Sequence, residues 1–191
     1  MEGRLVLPFK RGTSTSQDLS AIAGNEYTEV DKDYGTNREV RLRLVQNDST
    51  IVLAPKKLVR WKKSGTYQTE VDGYTTVNGE TIAGAVDDKI ASGTTVAVSN
   101  YFYIVVAGPC MCLTADTGAS NVNNVAVGDM VVAATAAAST QTTDAGAVAG
   151  RALGVTQTVL ADQLENALGR AATARGTTVT ATDILVILRS Y

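Results

Sequence analysis

Asp87 and Asp88 stand side by side in "AVDDK". A carboxylate pair is a common starting point for general acid–base work or for holding a cation. Adjacent residues on a strand point to opposite faces, and on a loop they are usually solvated, so no shared site is expected here. Asp129 follows Gly128 in a turn and is expected to cap backbone amides; Asp116 and Asp144 stand in similar turn settings. Cys110 and Cys112 are the sole cysteines. At i, i+2 on a strand they share a face but have poor geometry for a disulfide. A metal would want more ligands, and the chain has no histidine. Two buried thiols acting as small apolar residues are expected. The usual nucleophile–base machinery is also missing. The residues therefore point to no enzymatic activity, no cofactor and no metal.

The cations are the second candidate. Residues 1–63 hold 12 Lys+Arg against 8 Asp+Glu, while residues 64–191 hold 5 against 11, within an overall charge of −2. Eight basic residues crowd into 38–63: Arg38, Arg41, Arg43, Lys56, Lys57, Arg60, Lys62 and Lys63, with Trp61 among them. Such a strip can track phosphates. Trp61 and Tyr67 are too few for a stacking platform, however, and the apolar partners of the arginines suggest a strand lying on protein. An acidic protein surface is the better partner, with the charges steering association and fixing register. Nucleic acid is not expected as a partner.

These residues need elements to carry them. The chain has 191 residues, 45% hydrophobic but only 5% aromatic, with Ala, Val, Thr and Gly prominent. That composition suits short strands separated by turns. Val40, Leu42 and Leu44 alternate with Arg41 and Arg43, a strand with one apolar and one cationic face. "TIVLA", ended by Pro55, reads as a second strand and "KKLVRWKK" as a third. Asp72-Gly73 and Asn78-Gly79 read as hairpin turns. "NYFYIVVAGPCMCLT" gives the strongest strand signal; its apolar run from Tyr101 to Val106 implies a central strand, broken at Gly108-Pro109. Further strands are expected near 125–134, 147–160 and 178–191, and a soft loop over 133–150. Leu160, Leu164, Ala167, Leu168 and Ala171 recur at helical spacing and predict a helix over about 160–173. Residues 10–37, polar and turn-rich, read as an extended arm. No apolar run approaches the ~20 residues of a membrane span, and the first residues have too short an apolar core for a secretory signal. The fold expected is mainly β: a compact antiparallel β barrel or sandwich, with one short α-helix and an extended N-terminal arm. Residues 1–63 form the arm and a basic β-ribbon, and residues 64–191 form the body.

"LAPKKLVRWKKSGTYQTEVDGYTTV" resembles a segment of tailed-phage head proteins encoded beside the major capsid protein, in which a Pro-basic-Leu-Val stretch precedes G-T-[YF] and then EVDGY. "IAGAVDDKIASGTTVAVSNYFYIVVAGPCMCLT" is similar to the next block of that family, and "NNVAVGDMVVAATAA", "AGRALGVTQT" and "LENALGRAATARGTTVTATDILV" to its ending. The likeness spans roughly residues 52–188, with Ala107 standing where a polar residue is expected. It implies a capsid decoration, or cement, protein: a homotrimer on the outer surface of the virion, bound to the major capsid protein. Residues 1–63 would then be the clamp, and Arg38, Arg41, Arg43, Lys56, Lys57, Arg60, Trp61, Lys62 and Lys63 the capsid-binding residues. A ligand of the assembled shell alone stabilises it by mass action, and three linked sites add avidity. The alternative is a trimeric head fibre or spike whose body binds host glycans, which two of Tyr101, Phe102 and Tyr103 exposed in one groove would favour.

Overall fold

The computed structural model describes residues 6–62, 66, 68–74, 82–113, 126–128, 130–133, 152–155, 167–174 and 183–189. Among them are ten strands and one 3-10 turn, Ser20–Ile22. In chain order the strands are β1 (Glu26–Val30), β2 (Glu39–Asn47), β3 (Leu58–Trp61), β4 (Glu70–Tyr74), β5 (Ile82–Val86), β6 (Tyr101–Leu113), β7 (Met130–Ala133), β8 (Ala152–Val155), β9 (Ala167–Ala171) and β10 (Asp183–Leu188). They follow one another across the sheet as β1-β2-β4-β3-β5-β6-β10-β9-β7-β8, and β2 also pairs with β6. That extra pairing closes β2, β4, β3, β5 and β6 into a ring. The protein is therefore mainly β and barrel-like. It departs from the all-antiparallel expectation in one pair, since β2 and β4 run parallel.

Period-two alternation gives the ring wall two apolar faces. Val45, Val59, Val71, Val86, Phe102 and Ile104, drawn from all five ring strands, form one cluster with Leu53, Ile90 and Val96 from the loops. Leu42, Leu44, Leu58, Tyr101, Tyr103 and Val105 face the other way, into a second core. Cys110, Cys112, Ile184, Val186, Ala171 and Val131 continue that second core beyond the ring. β6 serves both halves. Up to Ala107 it pairs with β2, and from Gly108 to Leu113 it pairs with β10.

A shift in β6 makes this possible. Leu42 faces Val105 but Arg41 faces Ala107, so Val106 is an extra residue in the ladder. One inserted residue reverses which side chains point to which face. Accordingly Tyr101, Tyr103 and Val105 but then Cys110 and Cys112 reach the same core. Gly108 follows at φ +92, and a Cβ there would lie 2.1 Å from the Glu39 carbonyl oxygen. The expected break at Gly108-Pro109 is thus a bulge inside one continuous 13-residue strand.

Four other expectations change. The predicted helix over 160–173 is strand at Ala167–Ala171, and residues 156–166 lie outside the described residues. β9 is paired on both sides, with β10 and with β7, so ladder bonds replace helical ones. The close fit of Gly169, whose added Cβ would sit 2.0 Å from the Ile187 carbonyl, suits the neighbouring strand rather than a helix. Asp72-Gly73 lies inside β4 and not at a turn. "TIVLA" contributes only an isolated bridge, Leu53 to Val96. Residues 10–37, expected as an arm, lie on the ring: β1 pairs with β2 along its whole length, and Thr15 bridges Tyr101. Strands from both sides of residue 63 interleave in the sheet, with β4 between β2 and β3. The turn expected at Asn78-Gly79 and the loop beyond Ala133 lie outside the described residues.

Candidate functional site

β2 carries Arg41 and Arg43 of the basic strip and β3 carries Arg60 and Trp61, with Arg38, Lys56, Lys57 and Lys62 flanking these strands, and the fold brings carboxylates to it. Arg41 and Arg43 both hydrogen-bond Glu26 of β1. They can do so because Glu26 stands opposite Arg43 in the ladder and Arg41 is two residues away on the same face. Arg43 also lies over the Trp61 ring, 5.4 Å from its centroid, and Trp61 is buried. Partial burial works against ionisation of Glu26, but the bonds from Arg43 and Arg41 outweigh it and hold the carboxyl below its ordinary value. Lys56 pairs with Asp183 of β10, Lys62 with Asp48, and Arg60 with Asp72 at 2.8 Å. Lys57 is half-buried, and its carbonyl accepts from Val86 N–H. Arg38 is exposed, and Lys63 lies outside the described residues. The strip therefore holds the sheet together, joining β1 to β2, β3 to β4 and the Lys56 turn to β10. Trp61 is not a surface anchor. Most of these pairs are partly exposed, where each contributes about 0–1 kcal/mol.

The most heavily built polar site is elsewhere, and it includes the two carboxylates expected to be solvated. Asp87 and Asp88 follow β5 and are almost fully buried. They converge instead of diverging because the strand ends at Val86 and the chain turns there. Arg11 donates from Nε to Asp87 Oδ1 at 2.9 Å and from Nη2 to Asp88 Oδ1 at 3.0 Å. Gly12 N–H and Lys89 N–H complete Asp87, at 2.9 and 3.2 Å. Tyr34 O–H and Met111 N–H complete Asp88, at 2.6 and 2.8 Å. All four carboxylate oxygens thus accept a bond. Lys89 pairs with Asp33 at 2.7 Å and lies over the Tyr34 ring, while Arg11 Nη1 comes within 3.6 Å of Glu29.

Burial pushes the Asp87 carboxyl above its ordinary value, against the pull of Arg11. Burial, together with the bond to Asp88, pushes the Tyr34 hydroxyl well up. Chemically the arrangement is a clamp. It fastens the segment around Arg11, the β1–β2 turn and β6 to the end of β5. A groove of about 520 Å³ opens beside it between Arg11, Lys89, Thr28, Glu29, Asp31 and Asp33. Arg11 lies 76 positions from Asp87, so no local pattern in the sequence announces the site.

Asn47 organises a second feature. It is fully buried, and its amide donates to the carbonyls of Ile51, Val96 and Ala97 at 3.0, 3.2 and 3.1 Å. Its oxygen accepts from Ser49 Oγ at 2.5 Å. Two loops are pinned together in this way, and they present Ile51, Val52 and Val98 as exposed apolar residues. Cys110 and Cys112 are free thiols in the core, as expected. Burial, and then the neighbouring Cys112, pushes the Cys110 thiol well up, which disfavours the thiolate.

Among the described residues no cluster of three or more His, Cys, Asp or Glu side chains has the arrangement to hold a metal ion. No helix among them is long and apolar enough to cross a membrane. Comparison with known protein families, with curated proteins and with solved structures finds no match.

Proposed function

We propose that the chain is a non-enzymatic structural protein of a tailed-phage virion. It binds the major capsid protein on the outer surface of the assembled shell, as a homotrimer, and cements adjacent capsomers against the pressure of packed DNA. One observation carries this reading. The blocks that resemble the head-protein family fall on consecutive elements of one closed ring: "LVRW" is β3, "EVDGY" is β4, "IAGAV" is β5 with Asp87 and Asp88 after it, and "YFYIVVAGPC" lies in β6 with its bulge. The likeness is therefore to the residues that build the body, as suits a role carried by shape.

The basic strip now has a different part in the proposal. With Arg41, Arg43, Lys56, Arg60 and Lys62 paired with carboxylates of the same molecule, the strip supports the body, and among its described members Arg38 is exposed and can meet an acidic coat. The burial of Tyr101, Phe102 and Tyr103 favours the cement reading over a glycan-binding spike, which needs exposed rings. The test is to mix the full chain with undecorated expanded shells, sediment them and image the product. Saturable binding on the outside of the shell, with a higher temperature of shell disruption, is expected. Absence from the pellet, or density inside the shell, overturns the proposal.

A further inference from the structure

No residue between Val6 and Glu26 is buried, yet this stretch covers Leu44, Tyr101 and Tyr103, which are. Half-buried Leu7, Phe9, Leu19, Ile22 and Ala23 pack on the core beneath it, and at 3.4 Å Asp18 accepts from Tyr101 O–H and Ser14 Oγ from the Asn100 amide. Phe9 stacks on Tyr103 with ring centroids 4.6 Å apart, and the Phe9 carbonyl accepts from Tyr103 O–H at 3.3 Å. Arg11 and Gly12 engage Asp87 and Asp88. Thr15 exchanges two backbone bonds with Tyr101, at 3.0 and 2.8 Å. From there to Gly24 the backbone bonds are local: Ile22 N–H and Ala23 N–H both donate to Leu19 O, and Asp18 accepts from Ser20 N–H. Gly24, at φ +90, donates to Leu44 O, and the chain then enters β1.

The socket for Arg11 does not depend on Arg11. Lys89 N–H holds Asp87, and Tyr34 O–H with Met111 N–H holds Asp88, all from outside the stretch. When Arg11 leaves, the two carboxylates keep these partners and gain water. A stretch whose core-facing apolar side chains, Leu7, Phe9, Leu19, Ile22 and Ala23, are only partly buried, seated on a pre-formed socket, has the physical make-up of a unit that opens below the global unfolding free energy.

The geometry points to a strap: residues 6–24 open and close as one unit about Gly24, with Arg11 on Asp87 and Asp88 as the catch, while the ring of β2 to β6 stays folded beneath. Opening uncovers Tyr101, Tyr103 and the backbone of β6 at Tyr101. The inference does not rest on the capsid reading.

Amide hydrogen exchange on the full chain, followed across low denaturant concentrations, tests it. The amides of Gly12, Thr15 and Tyr101 donate across the strap contact. They are expected to share one opening constant, with a shallower denaturant dependence than the amides of Val45 and Phe102 in the β2–β6 ladder. Arg11→Gln is expected to speed all three by one common factor of about tenfold or more, while they keep a shallower denaturant dependence than Val45 and Phe102, whose exchange rises by no more than that factor. Different factors for the three amides, or a denaturant dependence as steep as that of Val45 and Phe102, overturns the proposal. If the variant does not fold, the denaturant series on the unaltered chain decides alone.

Discussion

Arg11 reaches across 76 positions of sequence to place its Nε 2.9 Å from Asp87 Oδ1. The same guanidinium holds Asp88, so one cation neutralises part of a buried carboxylate pair. Removing one partner of a buried pair ordinarily costs about 3–5 kcal/mol. Arg11 sits on a half-exposed stretch that lets water in when it leaves, so Arg11→Gln is expected to cost less, about 1–3 kcal/mol. Asp88→Ala strips Arg11, Tyr34 and Met111 N–H of an acceptor together and should cost more than Arg11→Gln. Urea unfolding of the two variants checks the order.

Two carboxylates make opposite contributions to the pH dependence of stability. Asp87 is raised above its ordinary 3.8 by burial, so its contribution is fully present below that value and is lost as pH rises through the folded value. Glu26 is lowered from 4.5, so its contribution is present above that value and is lost as pH falls through the folded one. Asp87→Asn should therefore flatten the decline in stability on the rising side. Glu26→Gln should flatten the loss on the acid side. Unfolding free energies at a series of pH values between about 3 and 7 separate the two.

Charge reversal of the basic strip should act on the fold. Arg43→Glu sets like charges beside Glu26 and removes the cation over Trp61; a loss of about 1–3 kcal/mol is expected. Arg38→Glu, on an exposed side chain, should stay within about 0.5 kcal/mol of the unaltered chain. Thermal unfolding of each reads the difference. Equal, small effects from both would mean that the Glu26 pairing contributes nothing.

Gly108→Val should abolish the soluble fold. A side chain there is strained at φ +92 and would press into the Glu39 carbonyl at 2.1 Å, where backbone on both sides has no room to move. Val106→Ala, at the neighbouring extra residue, should be tolerated within about 1.5 kcal/mol. Yield of soluble protein and near-ultraviolet circular dichroism distinguish the two.

β2, β3, β6 and β10 are readable in the sequence because their apolar residues alternate or run together, which suits a strand with one or both faces buried. β1, "EYTEV", is not: it has one buried aromatic among charges, and its strand character comes from the register opposite Arg41 and Arg43. Residues 167–171 show why periodicity misleads in small-residue segments. Leu and Ala at helical spacing also fit a strand, and two neighbouring strands decide the matter. Arg41, Arg43 and Lys62 illustrate a different blind spot. A cation on the polar face of a strand looks the same in sequence whether it meets water, a partner protein or a carboxylate of its own chain. The clamp on Asp87 and Asp88 is hidden for the same reason, since what fixes those side chains is tertiary.

The single surplus residue at Val106 has a mechanical consequence. Because one uninterrupted strand is laced to β2 along its first half and to β10 along its second, neither half has a seam at which to part. A pull applied to β10 is handed along that strand to the ring as shear, spread over many bonds at once. The molecule should therefore yield to tension in one abrupt step rather than by peeling.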